Sequence, residues 1–505
     1  MTSSSKTLVR TVVRRRASWT APVLAALAAA LLAPPAQAVP GATHILQLKP
    51  GVSEAAGARL VRAAGGRVTG RLSIIHGLAV RLPGRDVAKL SHDPRVKALT
   101  VNAAVKPQGG SIDSSQLATA YPLSVHAPQA WNTATGKGVG VAIIDTGVAA
   151  GLPDFKGADG KSRVIASAIT DANATTVTDT YGHGTHVAAI LAGDGTRRDS
   201  LDPQRGQYIG VAPEANIISV KASDDAGRSN ILDAIYGLQF VVDHKDDYNI
   251  RVVNLSLRSA TAESYKTDPL DAAVESAYFH GIVVVAAAGN KGTDSDAVSY
   301  APGNDPFAIT VGAVDDQGTK GSSDDVFTSW SSVGKTQDGF AKPDVAAPGA
   351  HIVSALVPGS AFTSLCPSCV VAPSYFRAGG TSMAAPMVSG VAALILQLHP
   401  EWTPDKVKST IIATGRSLPN AGVPEVNASA AVATSWPASG ANAGIVPNRV
   451  VDPATGNIDY SLSSWSLSSW SLSSWSCSCP TSTAAAADPA LSSWSLSSWS
   501  TRWDY

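Results

Sequence analysis

The sequence predicts an α/β protein built on an open parallel sheet with helices on both faces, preceded by a small α+β unit. From about Tyr121 to Thr434, apolar segments rich in Val, Ile and Ala alternate with helical segments. Continuous apolar runs are typical of parallel strands that are covered on both faces. Strands that alternate with helices are typical of an open α/β sheet.

The segment from His44 to Lys106 has the pattern of the small unit. "HILQLKP", "GLAVRLP" and "VKALTVNAAV" predict strands, whereas "SEAAGARLVRAAGG" and "GRDVAKLSHDP" predict helices. The resulting order, β-α-β-β-α-β, is that of a ferredoxin-like fold. We assign residues 39–110 to this unit, because the polar Gly/Ser-rich "PQGGSIDSSQ" that follows indicates a boundary.

The larger region, which we assign to residues 116–435, contains five clear apolar strand segments and at least four helical ones. In "SMAAPMVSGVAALILQLHP", apolar residues recur at the spacing of one helix face. Thr403 and Pro404 predict the start of another helix, which Gly415 ends. The strand segments are "GVGVAIIDTG", "ANIISVK", "IRVVNLSL", "GIVVVAAAGN" and "FAITVGAV".

Residues 1–38 have the pattern of an export signal. Four arginines precede the apolar run "APVLAALAAALLA", and "AQA" then supplies the small residues of a cleavage site. The alternative is a membrane anchor, but Ala21–Ala33 is shorter than the roughly 20 residues that span a bilayer. We therefore expect a secreted, extracellular protein without a transmembrane segment.

The charge balance disfavours two classes of partner, and the cysteine count favours disulfide bonds. Lys+Arg and Asp+Glu both number 39, so no basic excess favours nucleic acid or an anionic membrane. An even number of cysteines in an exported chain favours disulfides. A bond between Cys366 and Cys369 is our first choice, the pairing of Cys477 and Cys479 stays open, and the spacing fits no familiar zinc site.

Three residues suited to acyl transfer stand at strand ends or helix starts. Asp145 ends "VAIID", His183 begins the helix of "HGTHVAAILAG", and Ser382 begins that of "TSMAAP". A serine hydroxyl becomes a good nucleophile when an imidazole takes its proton, and a buried carboxylate orients that imidazole. Asn290, at the end of "VVVAAAGN", supplies an amide donor for the oxyanion.

These motifs resemble those of the subtilisin-like serine peptidases. "DTGV", "HGTHVA", "AAGN" and "GTSMAAP" occur in the family's order, within a match from roughly Trp131 to Ala433. The resemblance implies a catalytic triad of Asp145, His183 and Ser382, with Asn290 as oxyanion donor. It also implies a secreted serine endopeptidase that cuts peptide bonds through an acyl-enzyme intermediate.

The resemblance further implies where a protein or peptide substrate binds. Ser256, Leu257 and Arg258 correspond to the strand that pairs with an extended substrate. Ala287, Ala288 and Gly289 correspond to a wall of the pocket for the residue before the cleaved bond. Ser299 corresponds to the floor of that pocket, and because serine is small we expect a roomy pocket with broad, apolar or mixed preference.

The small N-terminal unit resembles the inhibitor-type propeptide of this family, which covers the active site as an intramolecular inhibitor until it is removed. We expect self-cleavage between about Val105 and Tyr121. The alternative is an independent domain without catalytic relevance. No cofactor is expected for catalysis. A structural calcium occurs in many relatives, but "LAGDGTRRDSLDPQRGQYIGVAP" replaces their shorter loop, so we assign no metal ligands.

Three other interpretations of the motifs are weaker. An aspartic peptidase needs two carboxylates that share a proton, and the chain has no second Asp-Thr-Gly or Asp-Ser-Gly. An α/β-hydrolase would carry Gly-x-Ser-x-Gly, whereas Ser382 precedes Met383 and Ala384. A binding protein that uses an inactive peptidase fold would not need all four chemical residues.

Residues 436–505 predict a low-complexity Ser/Trp-rich tail. Leu-Ser-Ser-Trp-Ser occurs five times, and a period of five fits neither a helix face nor a strand face. One interpretation is a flexible Ser-rich extension. The other rests on the six tryptophans after residue 460, which suit docking on a cell surface, a cell wall or an insoluble polymer.

Overall fold

The computed structural model describes residues 11–12, 42–72, 75–101, 114–418, 421–435 and 440–457 of the chain. These residues fall into two compact units, one within 16–110 and the other within 1–15 and 111–505. A two-residue strand, β1 (Thr11–Val12), belongs to the larger unit.

The smaller unit is a four-stranded antiparallel sheet with two helices. Its strands lie in the order β3-β4-β2-β5, which is the predicted ferredoxin-like arrangement. Leu46, Val61, Leu78 and Val80 form its fully buried core. The elements are β2 (Ala42–Leu48), α1 (Glu54–Ala63), β3 (Arg67–Leu72), β4 (Gly77–Leu82), α2 (Gly84–Ser91) and β5 (Val96–Val101).

The larger unit contains the remaining elements. Its helices are α3 (Tyr121–Ser124), α4 (Ala127–Ala130), α5 (His183–Ala192), α6 (Ile231–Asp243), α7 (Pro269–Phe279), α8 (Ala361–Leu365), α9 (Thr381–Leu398), α10 (Pro404–Ala413) and α11 (Ala428–Val432). Its further strands are β6 (Gly140–Asp145), β7 (Val164–Ile169), β8 (Asn216–Lys221), β9 (Ile250–Leu255), β10 (Val283–Ala287), β11 (Ile309–Asp315), β12 (Val326–Phe327), β13 (Gly334–Lys335), β14 (Ala341–Lys342), β15 (Val345–Pro348), β16 (Ile352–Ala355), β17 (Val370–Ala372), β18 (Tyr375–Ala378), β19 (Arg416–Ser417) and β20 (Pro424–Glu425).

The main sheet has the order β1-β7-β8-β6-β9-β10-β11-β15-β20-β19. All neighbours from β7 to β20 pair in parallel, whereas β1, β12 and β19 pair antiparallel with the sheet. Because the strands are parallel, the carboxyl ends of β6, β9 and β10 meet at one edge of the sheet. Ligands of open α/β sheets bind beyond this edge.

Two apolar cores lie on opposite faces of the sheet. Side chains alternate along β6: Val141 and Ile143 belong to the core that includes α5 and α9, whereas Ala142 and Ile144 belong to the core that includes α6 and α7. Alternation of this kind is the geometry of a strand covered on both faces. The predicted open parallel sheet with helices on both faces is confirmed.

Local sequence signals explain where several helices begin. The side chain of Asn230 accepts a hydrogen bond from the first turn of α6, and Asp233 completes a capping box. Thr403 caps α10, as its position before Pro404 predicts. Helix α9 is apolar and long enough to cross a membrane, but in this fold it lies in the core between α5 and the sheet.

The folded unit extends beyond the predicted start of the tail at residue 436. The backbone of Asn448 donates to Oε2 of Glu275 at 2.7 Å, and Ser276 donates to the carbonyl of Gly456 at 2.6 Å. Val450 and Val451 are buried beside Ala272 of α7. These contacts place residues 440–457 on the larger unit, so any tail begins after them. The Leu-Ser-Ser-Trp-Ser repeats lie outside the described residues.

Candidate active site

A buried carboxylate and an imidazole meet beyond the end of β6. Asp145 ends this strand, and His183 is the first residue of α5. Nδ1 of His183 lies 2.8 Å from Oδ1 and 3.0 Å from Oδ2 of Asp145, and both side chains are fully buried. A carboxylate at this distance holds the proton on Nδ1, which leaves Nε2 as the basic nitrogen.

A second buried carboxylate, Asp179, holds the two segments together. Its Oδ1 accepts from the hydroxyl of Thr146 at 2.9 Å and from the backbone of Gly182 at 2.7 Å. Its Oδ2 accepts from the backbone and the hydroxyl of Thr185 at 2.9 and 2.7 Å. Burial raises the pKa of Asp179, while these hydrogen bonds oppose the increase. Sequence reasoning did not identify Asp179, although an aspartate shortly before a helix start is a recognisable capping signal.

Close packing around the pair explains one of the glycines. A Cβ at Gly184 would lie 2.3 Å from the carbonyl oxygen of Gly147 and 3.0 Å from Oδ1 of Asp145. Real Cβ atoms do not approach backbone atoms so closely, so any larger residue would push α5 away from β6. The glycine of "HGTH" therefore sets the short distance between Asp145 and His183.

Ser382 lies in the first turn of α9, against the segment that follows β9. Its Oγ donates to the carbonyl of Ser256 at 3.2 Å, and the hydroxyl of Ser256 donates to the carbonyl of Ser382 at 2.9 Å. Asn254 donates to Ser256 and accepts from Ser389, both at 2.9 Å. Helix α5 packs on α9, so the helix that begins with His183 and the helix whose first turn carries Ser382 are neighbours.

Asn290 is fixed beside the same turn. Its Oδ1 accepts from the backbone and from the hydroxyl of Thr381, both at 3.0 Å. The Thr381 hydroxyl in turn accepts from the backbone of Gly289 at 3.1 Å. With its oxygen held in this way, the amide presents Nδ2 as a donor near the start of α9. Thr381, which the sequence analysis did not single out, is thus the residue that orients Asn290.

Six of the seven predicted substrate-binding residues lie on two segments that flank Ser382. Strand β9 ends at Leu255, so Ser256, Leu257 and Arg258 form a segment just beyond it. Ala287 ends β10, and Ala288 donates to the carbonyl of Val311 at 3.0 Å. Gly289 has a φ of 98°, a conformation that favours glycine. Ser299 is also buried, and its backbone donates to the carbonyl of Asp296 at 3.0 Å.

The second histidine of "HGTH" has a packing role. Nε2 of His186 lies 3.0 Å from the carbonyl oxygen of Phe376. Burial lowers the pKa of His186 to about 3. The side chain is therefore neutral in the folded protein, and His183 is the imidazole that carries the candidate chemistry.

The segment between β16 and β18 contacts the histidines. Cys366 and Cys369 form a disulfide there, just after α8. Phe362 of α8 packs edge-on against the ring of His183, with 6.2 Å between ring centres, and also contacts His186. This segment thus forms part of the wall around His183. Cys477 and Cys479 lie outside the described residues.

Carboxylates in and around the loop for which we assigned no calcium ligands are paired with protein cations. The Arg198 guanidinium donates to Asp154 at 2.7 Å and to Asp202 at 2.9 Å, and the Tyr375 hydroxyl donates to Asp154 at 2.6 Å. Asp194 is likewise paired with Arg197 at 2.8 Å. Within the part of the chain that the structure describes, no group of three or more acidic, His or Cys side chains could hold a metal ion. Protein cations neutralise these carboxylates.

Arg198→Met is therefore expected to lower the free energy of unfolding by about 3–5 kcal/mol, because it leaves Asp154 buried without its cation. Arg228→Met removes an ion pair at an exposed side chain and should cost less than about 1 kcal/mol. Denaturant unfolding with and without a chelator measures both effects. A chelator that destabilises the wild type as much as the Arg198 substitution does would show that a metal ion holds this loop.

Comparison with known proteins agrees with the geometry. The sequence model of the subtilase family matches residues 136–431. The chain is 41% identical to serine protease AprX of Bacillus subtilis (strain 168) over 284 residues, which are 55% of this chain and 61% of AprX. It is 31% identical to subtilisin NAT of Bacillus subtilis subsp. natto over 365 residues, which are 72% of this chain and 81% of that protein.

Among solved structures, a cold adapted subtilisin-like serine proteinase is 27% identical in sequence, with a TM-score of 0.41. The match covers 58% of this chain and 89% of the proteinase chain. The family match extends over more than half of the chain and includes Asp145, His183, Asn290 and Ser382. The chain belongs to the subtilase family of subtilisin-type serine peptidases.

Proposed function

We propose that this protein is a secreted serine endopeptidase whose catalytic triad is Asp145, His183 and Ser382. The observation that supports this most is the fully buried contact of 2.8 Å between Asp145 and His183. The helix that begins with His183 packs on the helix whose first turn carries Ser382. Each residue has the type and the surroundings that nucleophilic acyl transfer requires.

In the proposed reaction, Nε2 of His183 takes the proton of Ser382 Oγ as this oxygen bonds to the scissile carbonyl carbon. The carbonyl oxygen becomes an oxyanion, to which Nδ2 of Asn290 and the backbone N–H of Ser382 donate. Breaking of the C–N bond then releases the amine, which takes the proton from His183. Water, deprotonated by the same imidazole, hydrolyses the acyl-enzyme and restores Ser382.

Asp145 supports these proton transfers. It keeps the ring of His183 in one tautomer and stabilises the imidazolium that forms after Ser382 loses its proton. The hydrogen bonds that Asp179 accepts keep the two segments in place around this pair. The reaction needs only groups that this chain supplies, and we propose that no cofactor takes part.

The proposal includes the processing and the location of the protein. Residues 1–38 direct export, and the unit at 39–110 inhibits the enzyme until self-cleavage removes it. The substrates are proteins or peptides, and the enzyme acts outside the cell. The repeats after residue 460 hold it on a cell surface or a polymer.

Hydrolysis of casein by the secreted protein tests the proposal. We expect digestion that a serine-directed phosphonylating reagent abolishes and that an inhibitor of aspartic peptidases leaves unchanged. An intact casein band after incubation with the mature protein would refute the proposed activity.

Deletion of residues 461–505 should release the enzyme from cells and leave hydrolysis of small peptides intact.

Asn290→Ala is expected to lower kcat by about 10²–10³ with a small change in KM, because the lost donor acts on the oxyanion and not on the bound substrate. Asn132→Ala, which removes an exposed amide of the same unit, is the matched control and should retain activity. Steady-state kinetics on a peptide ester measures both. A kcat for Asn290→Ala within threefold of wild type would exclude the oxyanion role.

A further inference from the structure

A cluster of two cations, one carboxylate and one tyrosine lies beside the predicted substrate pocket. The Arg258 guanidinium carbon lies 4.6 Å from the ring centre of Tyr300, and Nζ of Lys291 lies 4.7 Å from the same centre. Nζ of Lys291 also contacts the Tyr300 hydroxyl at 2.8 Å. We call Arg258, Lys291, Asp296 and Tyr300 the cationic cluster.

The position of Arg258 links both segments that flank Ser382. It follows Ser256, whose carbonyl accepts from Ser382 Oγ, by two residues. Its Cδ lies 3.5 Å from the point where a Cβ on Gly289 would be, and Gly289 precedes Asn290. The side chain of Arg258 therefore extends from the predicted substrate-pairing segment toward the predicted pocket wall at Gly289.

The charges in the cluster do not cancel. Nζ of Lys291 contacts both carboxylate oxygens of Asp296, at 2.6 and 2.8 Å, and the Tyr300 hydroxyl also donates to Asp296. This carboxylate is thus already shared between two donors. Arg258 instead donates to the carbonyl of Ser259 at 3.1 Å, and the ion pairs found among the described residues do not include it. One positive charge remains.

Partial burial of Arg258 strengthens the attraction between its guanidinium and an anion. Burial lowers the pKa of Arg258, although Tyr300 and Asp296 oppose this effect. An arginine stays charged at neutral pH in any case, because its unperturbed pKa lies above 12. A partly desolvated guanidinium gains more from a carboxylate than an exposed one does, because the local dielectric constant is lower.

We propose that Arg258 is a specificity-determining residue, which favours substrates with a carboxylate side chain before the cleaved bond and disfavours lysine or arginine there. The inference rests on the proposed peptidase function and on the substrate-pairing segment and pocket wall assigned above. It narrows the broad preference that the small Ser299 implies, because Arg258 adds a positive charge beside the pocket. The chemical class of substrate is an acidic peptide or an unfolded acidic protein segment.

Peptides that differ only in the residue before the cleaved bond test this directly, with Glu, Gln and Lys at that position. For the wild type we expect kcat/KM for Glu to exceed that for Lys by about tenfold or more, with Gln between them. Arg258→Glu should reverse the order of Glu and Lys. Arg228→Glu changes the same charge at an exposed arginine and should leave the ratio unchanged.

Arg258→Gln provides a second test if Arg258→Glu folds poorly. It removes the charge and keeps most of the side-chain volume. The ratio of kcat/KM for the Glu peptide to kcat/KM for the Lys peptide should therefore fall toward one. A ratio that stays the same in Arg258→Gln would overturn the inference. If casein is digested and the ratio is unaffected, only the role of Arg258 fails. If neither casein nor any peptide is cut and the phosphonylating reagent leaves Ser382 unlabelled, the peptidase function itself fails.

Discussion

Ser382→Ala is expected to reduce peptide hydrolysis by about 10⁶-fold in kcat, the order of loss found when a triad serine of this family is removed. The substitution deletes the atom that would bond to the substrate carbonyl. The fold should tolerate it, because alanine differs from serine by one atom and fits the space of the side chain whose Oγ donates to the carbonyl of Ser256 at 3.2 Å. Binding of substrate should change little, so the loss should appear in kcat.

The same substitution has a second consequence for the precursor. If the unit at residues 39–110 is removed by the enzyme's own active site, Ser382→Ala should be secreted with that unit attached. Intact mass and N-terminal sequencing measure this directly. Ser417→Ala, an exposed serine on β19, is the control and should mature normally. A Ser382→Ala protein that matures and digests casein at the wild-type rate would show that the nucleophile is another residue.

Asp145→Asn should lower kcat by about 10⁴-fold. The amide keeps the shape of the carboxylate, and its oxygen can still accept from the backbone of Thr146, which lies 2.7 Å from Oδ1. Its nitrogen donates to Nδ1 of His183, so the proton of the ring moves to Nε2. An imidazole in that tautomer cannot take the proton of Ser382.

Two measurements separate this effect from a loss of folding. The melting temperature of Asp145→Asn should stay near that of the wild type, while its reaction with a phosphonylating reagent should be strongly slowed. Asp243→Asn, at the exposed end of α6, is the matched control and should retain activity. If Asp145→Asn hydrolyses a peptide ester within tenfold of the wild-type rate, Asp145 does not orient the base.

Local patterns sufficed to predict the open parallel sheet with helices on both faces, and they pointed to the candidate site residues. Asp145 ends a continuous apolar run, and His183 and Ser382 follow glycine-rich segments that begin helices. Parallel strands bring their carboxyl ends to one edge, so residues far apart in the sequence are expected to meet there. The contact between Asp145 and His183 is the clearest result of this rule.

The supporting residues could not be predicted, because their roles depend on contacts between distant segments. Asp179 accepts a hydrogen bond from Thr146, 33 residues earlier, and Thr381 donates one to Asn290, 91 residues earlier. The stacking of Arg258 on Tyr300 is likewise invisible in either segment alone. The contact of Asn448 with Glu275 spans 173 residues, and the local pattern of neither segment indicates it.

Mapping the adduct of a phosphonylating reagent tests the central claim most directly. The mature protein is labelled until casein hydrolysis stops, then digested, and the modified residue is identified by mass spectrometry. The account predicts one adduct per chain, on Ser382, and a much slower reaction in His183→Ala. An adduct on a different residue, or complete inhibition with Ser382 unmodified, would contradict it.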